Sequence, residues 1–258
     1  MIAVLSPAKT LDFETAPIAK KHSIPDQLNL SEQIIDKLAR LSSKKIAHLM
    51  DLSDKLADLN VERYQTWHKE FDLTNAKQAI LAFKGDVYLG LEANTFKEKD
   101  FTFAQNHLLI LSGLHGYLRP LDLIQPYRLE MGTSICIGKS KNLYQFWDSK
   151  VNDYINEQLA SHKEKTLINL ASEEYFKVVK EKSLQHPCIH CEFKDKKGAD
   201  YKMIGFFAKK ARGYMASYLI KNKIEKSKDL KEFNEHGYVF NSKLSKDNKW
   251  IFTRDKAE

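Results

Sequence analysis

Ile2-Ala3-Val4-Leu5-Ser6-Pro7-Ala8-Lys9-Thr10 is the stretch on which the fold turns. Four apolar residues follow one another without a polar interruption, and Ser6-Pro7 ends the run. A half-exposed strand would alternate, and a helix needs more length, so the run reads as a strand buried on both faces. Leu108-Leu109-Ile110-Leu111, ended by Ser112-Gly113, and Leu167-Ile168-Asn169-Leu170, ended by Ala171-Ser172, read the same way. Helical patterns lie between them. Leu30, Ile34, Leu38 and Leu41 recur at spacings of three and four, which predicts a helix over residues 26–41. A helical hairpin follows at about residues 42–67, broken near Asp51-Leu52-Ser53, with Ser53 placed to cap its second helix.

Residues 142–159 carry the clearest apolar stripe of the chain: Leu143, Phe146, Trp147, Val151, Tyr154, Ile155 and Leu159. Asn142 with Gln145 resembles a capping box at its start. A late helix is expected from about 205 to 221, and short strands at 188–193, 238–241 and 250–253. This alternation predicts one mixed α/β domain over residues 1–258, with a partly parallel central sheet surrounded by helices. Ligands in such sheets bind beyond the carboxyl ends of the strands. Parallel pairing of the three runs would bring Ser6, Ser112, Asn169 and Ser172 to that edge. A serine at such a place also serves simply to start a turn or cap a helix.

The chain has 258 residues, 43% of them apolar, enough for a buried core. It holds 41 Lys+Arg against 34 Asp+Glu, a net charge of +7. The surplus is local: residues 177–231 hold 15 Lys+Arg and 6 Asp+Glu, so the remainder is slightly acidic. A basic third favours polyanions, nucleic acid among them, although solvated lysine faces are also common. Three cysteines do not make a secreted disulfide framework, and no signal-peptide pattern or membrane-length apolar run occurs. A cytoplasmic monomer without membrane contact is expected.

Several stretches carry chemistry. Lys9-Thr10 follows the first strand, where a lysine makes a good anion contact, but the glycines of a phosphate loop are missing. Lys84-Gly85-Asp86 offers a lysine and a carboxylate two residues apart. Residues 112–133 form a long segment broken by Gly113, Gly116, Pro120, Pro126 and Gly132. It is too apolar for disorder and is expected to pack down while displaying Arg119, Asp122, Arg128 and Glu130. Anion binding and internal pairing, Arg119 with Asp122 and Arg128 with Glu130, both fit. In the late helix Lys209, Arg212, Gly213 and Ala216 share a face, suited to close approach of a backbone, protein or nucleic acid. Cys188-Ile189-His190-Cys191 has zinc-like spacing, yet no second Cys/His pair follows and a strand would turn Cys191 away. Neither a metal nor a cofactor is expected.

Long strings of this sequence resemble the YaaA-type peroxide-stress family. They are Val4-Leu-Ser-Pro-Ala-Lys-Thr-Leu-Asp-Phe13, Phe83-Lys-Gly-Asp-Val-Tyr88, the segment 112–133, Asn169-Leu-Ala-Ser-Glu-Glu-Tyr-Phe176, Ala208-Lys-Lys-Ala-Arg-Gly213 and Phe252-Thr-Arg254. The resemblance implies a bacterial protein of the peroxide-stress response, associated with lower free iron and less oxidative DNA damage. It further implies a positively charged cleft, a helix-hairpin-helix element and binding to duplex and branched DNA. The cleft cations would be Lys9, Lys84, Arg119, Arg128, Lys209, Lys210 and Arg212. A second reading rests on the polar strand ends: an enzyme acting on a nucleotide, nucleobase or DNA lesion, with Ser6, Lys9, Lys84, Asp86, Ser112 and Asn169 as candidate catalytic groups and a small nucleotide-like ligand.

Overall fold

The computed structural model describes residues 1–256. Its strands are β1 (Ile2–Leu5), β2 (Thr10–Leu11), β3 (Lys77–Gln78), β4 (Phe83–Lys84), β5 (Leu108–Ser112), β6 (Gly116–Leu118), β7 (Leu123–Ile124), β8 (Leu167–Asn169), β9 (Cys188–Lys197), β10 (Asp200–Lys202), β11 (Val239–Phe240) and β12 (Lys249–Arg254). Its helices are α1 (Leu28–Leu38), α2 (Ser43–Met50), α3 (Asp54–Thr66), α4 (Ala79–Ala82), α5 (Asp86–Leu91), α6 (Glu98–His107), α7 (Leu143–Trp147), α8 (Lys150–Ser161), α9 (Glu173–Phe176) and α10 (Gly205–Lys221).

The three apolar runs are parallel neighbours. β1 lies between β5 and β8, with Val4 opposite Leu109 on one side and Asn169 on the other. The sheet has eight strands, in the order β11-β12-β9-β8-β1-β5-β6, with β10 paired to β9. β9 and β12 continue the parallel run, while β6, β10 and β11 are antiparallel additions at the margins. All four residues of β1 are buried, as an uninterrupted apolar run at the sheet centre requires. α6 packs on β1 and β5, and α10 on β9. No helix among the described residues is long and apolar enough to cross a membrane.

Chain order explains where a ligand fits. From β1 the chain moves to β5 on one side; from β8 it moves to β9 on the other. The connections after the adjacent strands β1 and β8 therefore diverge, which opens a crevice at their carboxyl ends.

The helical hairpin is present as α2 and α3. Its turn uses Asp51 in the left-handed region (φ 52) where glycine is usual. Ser53 occupies the cap position of α3, but its hydroxyl makes no capping hydrogen bond. The single helix expected over 142–159 is two, broken at Asp148 (φ 38). The apolar stripe hides the break because both halves bury residues in one core. The Asn142 cap forms, accepting from the Gln145 N–H at 3.0 Å; Gln145 reaches back to the Lys141 N–H, so the box is offset by one residue.

The segment 112–133 packs down, and it contains β6 and β7. Asp122, expected on display, is fully buried. It accepts from Ser23 Oγ at 2.7 Å and pairs with Arg119 at 2.9 Å.

A cationic pocket at the strand ends

Four pieces of chain build the site. The exit of β1 supplies Ser6, Lys9 and Thr10. The exit of β8 supplies Ser172, and α9, which follows it, supplies Glu174 and Tyr175. Ser6 joins the two exits: its hydroxyl donates to Ser172 Oγ at 3.2 Å and accepts from the Ser172 N–H at 2.9 Å. The short β2–β4 ladder sets Thr10 opposite Lys84, which brings Lys84, Gly85 and Asp86 beside the β1 exit. The fourth piece is α10, which carries Lys209 and Arg212.

Glycine decides how α10 arrives. Gly90 of α5 and Gly213 of α10 sit at the crossing of the two helices. A Cβ on Gly213 would lie 1.9 Å from the Val87 carbonyl oxygen, and one on Gly90 would lie 2.1 Å from that of Lys210. Only bare backbone permits this approach, and it swings Arg212, one residue before Gly213, over the β1 exit. The small-residue face read from the sequence thus meets protein backbone.

The result is a pocket of about 310 Å³ lined by four cations, Lys9, Lys84, Lys209 and Arg212, and two carboxylates, Asp86 and Glu174. Lys9 is bound to Glu130 at 2.8 Å, and Glu174 accepts from the Gly132 N–H at 3.0 Å. Arg212 is different. It is half-buried, and its Nε meets no hydrogen-bond partner among the described residues. Glu192, the acid that favours its charge, is already paired with Lys249 at 2.6 Å. Burial works against the Arg212 charge and lowers its pKa. Beneath the pocket, buried Tyr88 donates to the Ser6 carbonyl at 3.2 Å, and burial drives its phenol pKa well up, so it stays neutral.

The remaining expected residues sit elsewhere. Arg119 is held by Asp122, by Asp26 at 3.1 Å and by the Ile24 carbonyl at 2.7 Å. Arg128 pairs with Glu130 at 3.3 Å and touches the pocket only through that acid, which Lys9 shares. Internal pairing is thus realised for both arginines. Lys210 lies over the Tyr214 ring, 5.7 Å from its centroid. Ser112 is wholly buried, bonded to Tyr127 Oη at 2.7 Å and accepting from the His115 N–H. Asn169 accepts from the Ala171 N–H at 2.9 Å and meets His190 Nδ1 at 3.1 Å, so it fixes the turn that leads to Ser172. Of the candidate catalytic set, Ser6, Lys9, Lys84 and Asp86 line one pocket; Ser112 and Asn169 do not.

The sequence reading missed Glu174 and Tyr175 as pocket residues. Their position just after Ser172, opening a helix at a strand exit, was the available signal. Cys188 and His190 stood out in the sequence by their spacing, but Glu181, which the fold brings beside them at β9, did not.

A family model described as peroxide stress protein YaaA matches residues 1–244. The chain belongs to this family. Membership covers every piece of the pocket, from Ser6 to Arg212, and gives the protein a role in the oxidative stress response. Four of the six YaaA strings read from the sequence coincide with these pieces, at the β1 exit, the β4–α5 junction, the β8 exit and the first half of α10; the segment 112–133 and Phe252-Thr-Arg254 do not line the pocket.

Proposed function

We propose that the protein serves the peroxide response by binding duplex or branched DNA without sequence preference, through the strand-end pocket and the cationic surface around it. Arg212 carries the reading: a half-buried guanidinium with no acid of its own in a pocket with other cations is set up for an anion. DNA phosphates supply such anions at regular spacing, and the basic surplus of residues 177–231 extends the attraction beyond the pocket. The α2–α3 hairpin offers a second contact, with Lys44 and Lys45 exposed on α2. Phosphates occupied by lysine and arginine shed their condensed cations. Ferrous ions held loosely on DNA would be among those displaced, which links binding to less iron-dependent oxidative damage.

One observation favours a second reading. A pocket of about 310 Å³ is sized for a small ligand, and it holds Asp86, Glu174 and a serine pair that backbone binding does not need. Such a site suits a nucleotide, a nucleobase or an extruded lesion. Fluorescence anisotropy with a labelled duplex, challenged by a deoxynucleoside monophosphate, separates the two. DNA binding by backbone contact predicts tight duplex binding that millimolar mononucleotide leaves in place. Absent duplex binding, together with a thermal shift on adding mononucleotide, would replace the first reading by the second.

A further inference from the structure

Cys188 and His190 occupy alternate positions on β9 and so point to the same side of the sheet. Glu181, from the one-turn helix at Glu181–Ser183, folds back over them. One donor atom from each of the three lies within 4.8 Å of the others. His190 Nε2 is 3.0 Å from Glu181 Oε1. Three donors around a tetrahedral zinc-type ion stand roughly 3.3–3.6 Å apart, given bond lengths of about 2.0–2.3 Å. Side-chain adjustment of about 1 Å therefore converts the cluster into three ligands of one ion. Cys191, on the opposite face, takes no part.

We infer that Glu181, Cys188 and His190 form a binding site for a borderline divalent transition ion of the zinc class, with a fourth position open to solvent. Thiolate, imidazole and carboxylate are the donor types such ions prefer together, and hard ions such as magnesium do not take thiolate. Glu181 is exposed while Cys188 is buried, so the ion has a way in from the surface and an anchored ligand at the bottom. The Phe176 ring stands edge-on to His190 at 5.2 Å and holds the imidazole in place. Without metal, Asn169 meets Nδ1 and Glu181 meets Nε2. On binding through Nε2, the imidazole proton moves to Nδ1, on the side of Asn169. The Cys188 thiol gives its proton to solvent as the sulfur–metal bond forms. Each ion bound thus releases one proton.

Titration of the full chain with Co²⁺ tests the site. One equivalent is expected to produce a near-ultraviolet thiolate-to-cobalt absorption band, and Zn²⁺ is expected to bleach it. Cys188→Ser should abolish the band; Glu181→Gln and His190→Gln, both at solvent-reachable positions, should weaken Co²⁺ binding roughly 10- to 100-fold, comparable to losses at supporting residues of metal sites. Cys136→Ser, at the exposed thiol, should change nothing. No band in the wild-type chain, or a band that survives Cys188→Ser and vanishes in Cys136→Ser, would overturn the site. Neither outcome bears on DNA binding by the pocket.

Discussion

Gly90 and Gly213 show how much of the site hangs on single residues. Glycine within a helix ordinarily costs up to about 1 kcal/mol against alanine. At Gly213 the sign reverses, because the added methyl would enter the Val87 carbonyl. Gly213→Ala is expected to destabilise the protein by about 2–3 kcal/mol, the scale of core overpacking, in urea unfolding. A neutral or stabilising result would mean that α5 and α10 do not pack so closely. His115 gives a second test at this scale. It is buried, touches Ser31 Oγ at 2.9 Å, and burial lowers its pKa from 6.5 to about 3. The unfolded chain therefore binds a proton between pH 6.5 and about 3 that the folded chain refuses. Stability falls as the pH falls through that window, by about 1.4 kcal/mol per unit for this residue alone. The Met1 amino group and His162, also lowered by burial, act in the same direction. Denaturant titrations across the window should show His115→Gln losing its stability less steeply than wild type; parallel curves would place the histidine in solvent. Nothing in the sequence marks His115 for this role, because its hydrogen-bond partner Ser31 lies far off in the chain.

Elements were legible where local pattern and tertiary demand agree. β1 and α10 fall at the residues expected, since both carry continuous local signals and clear stops. The α7–α8 break was not legible: Asp148 bends the chain without glycine or proline to announce it. The hairpin turn is the same kind of case. Asp51 bears the strain of the left-handed region that glycine would avoid. Asp51→Gly is expected to raise stability by up to about 1 kcal/mol, measured as a shift in the urea midpoint at unchanged slope. A drop in stability would show that the Asp51 side chain supports the turn. Glycine keeps the turn conformation and leaves Lys44 and Lys45 of α2 in place, so the same variant should not weaken DNA binding.

At the scale of the whole molecule, parallel pairing of three buried runs was readable, but their order was not. Only the order β9-β8-β1-β5 reveals the diverging connections that open the crevice. The cations divide on the same ground. Lys9, Lys84, Lys209 and Arg212 gather because β1, the β2–β4 ladder and the α5–α10 crossing converge there. Arg119 and Arg128 carry the same charge and stand in equally distinctive sequence, yet Asp122, Asp26 and Glu130 claim them. A sequence shows a charge but not the acid that folds against it. The central claim is that the pocket cations on α10 hold DNA phosphates. It is tested most directly by measuring duplex affinity against salt for the wild type and for Lys209→Ala/Arg212→Ala. Log affinity should fall linearly with log salt in the wild type. Each phosphate left without its cationic partner should flatten the slope by roughly 0.9, so the double variant should bind more weakly with a slope shallower by about 2. Equal affinity and an unchanged slope in the double variant would contradict the account.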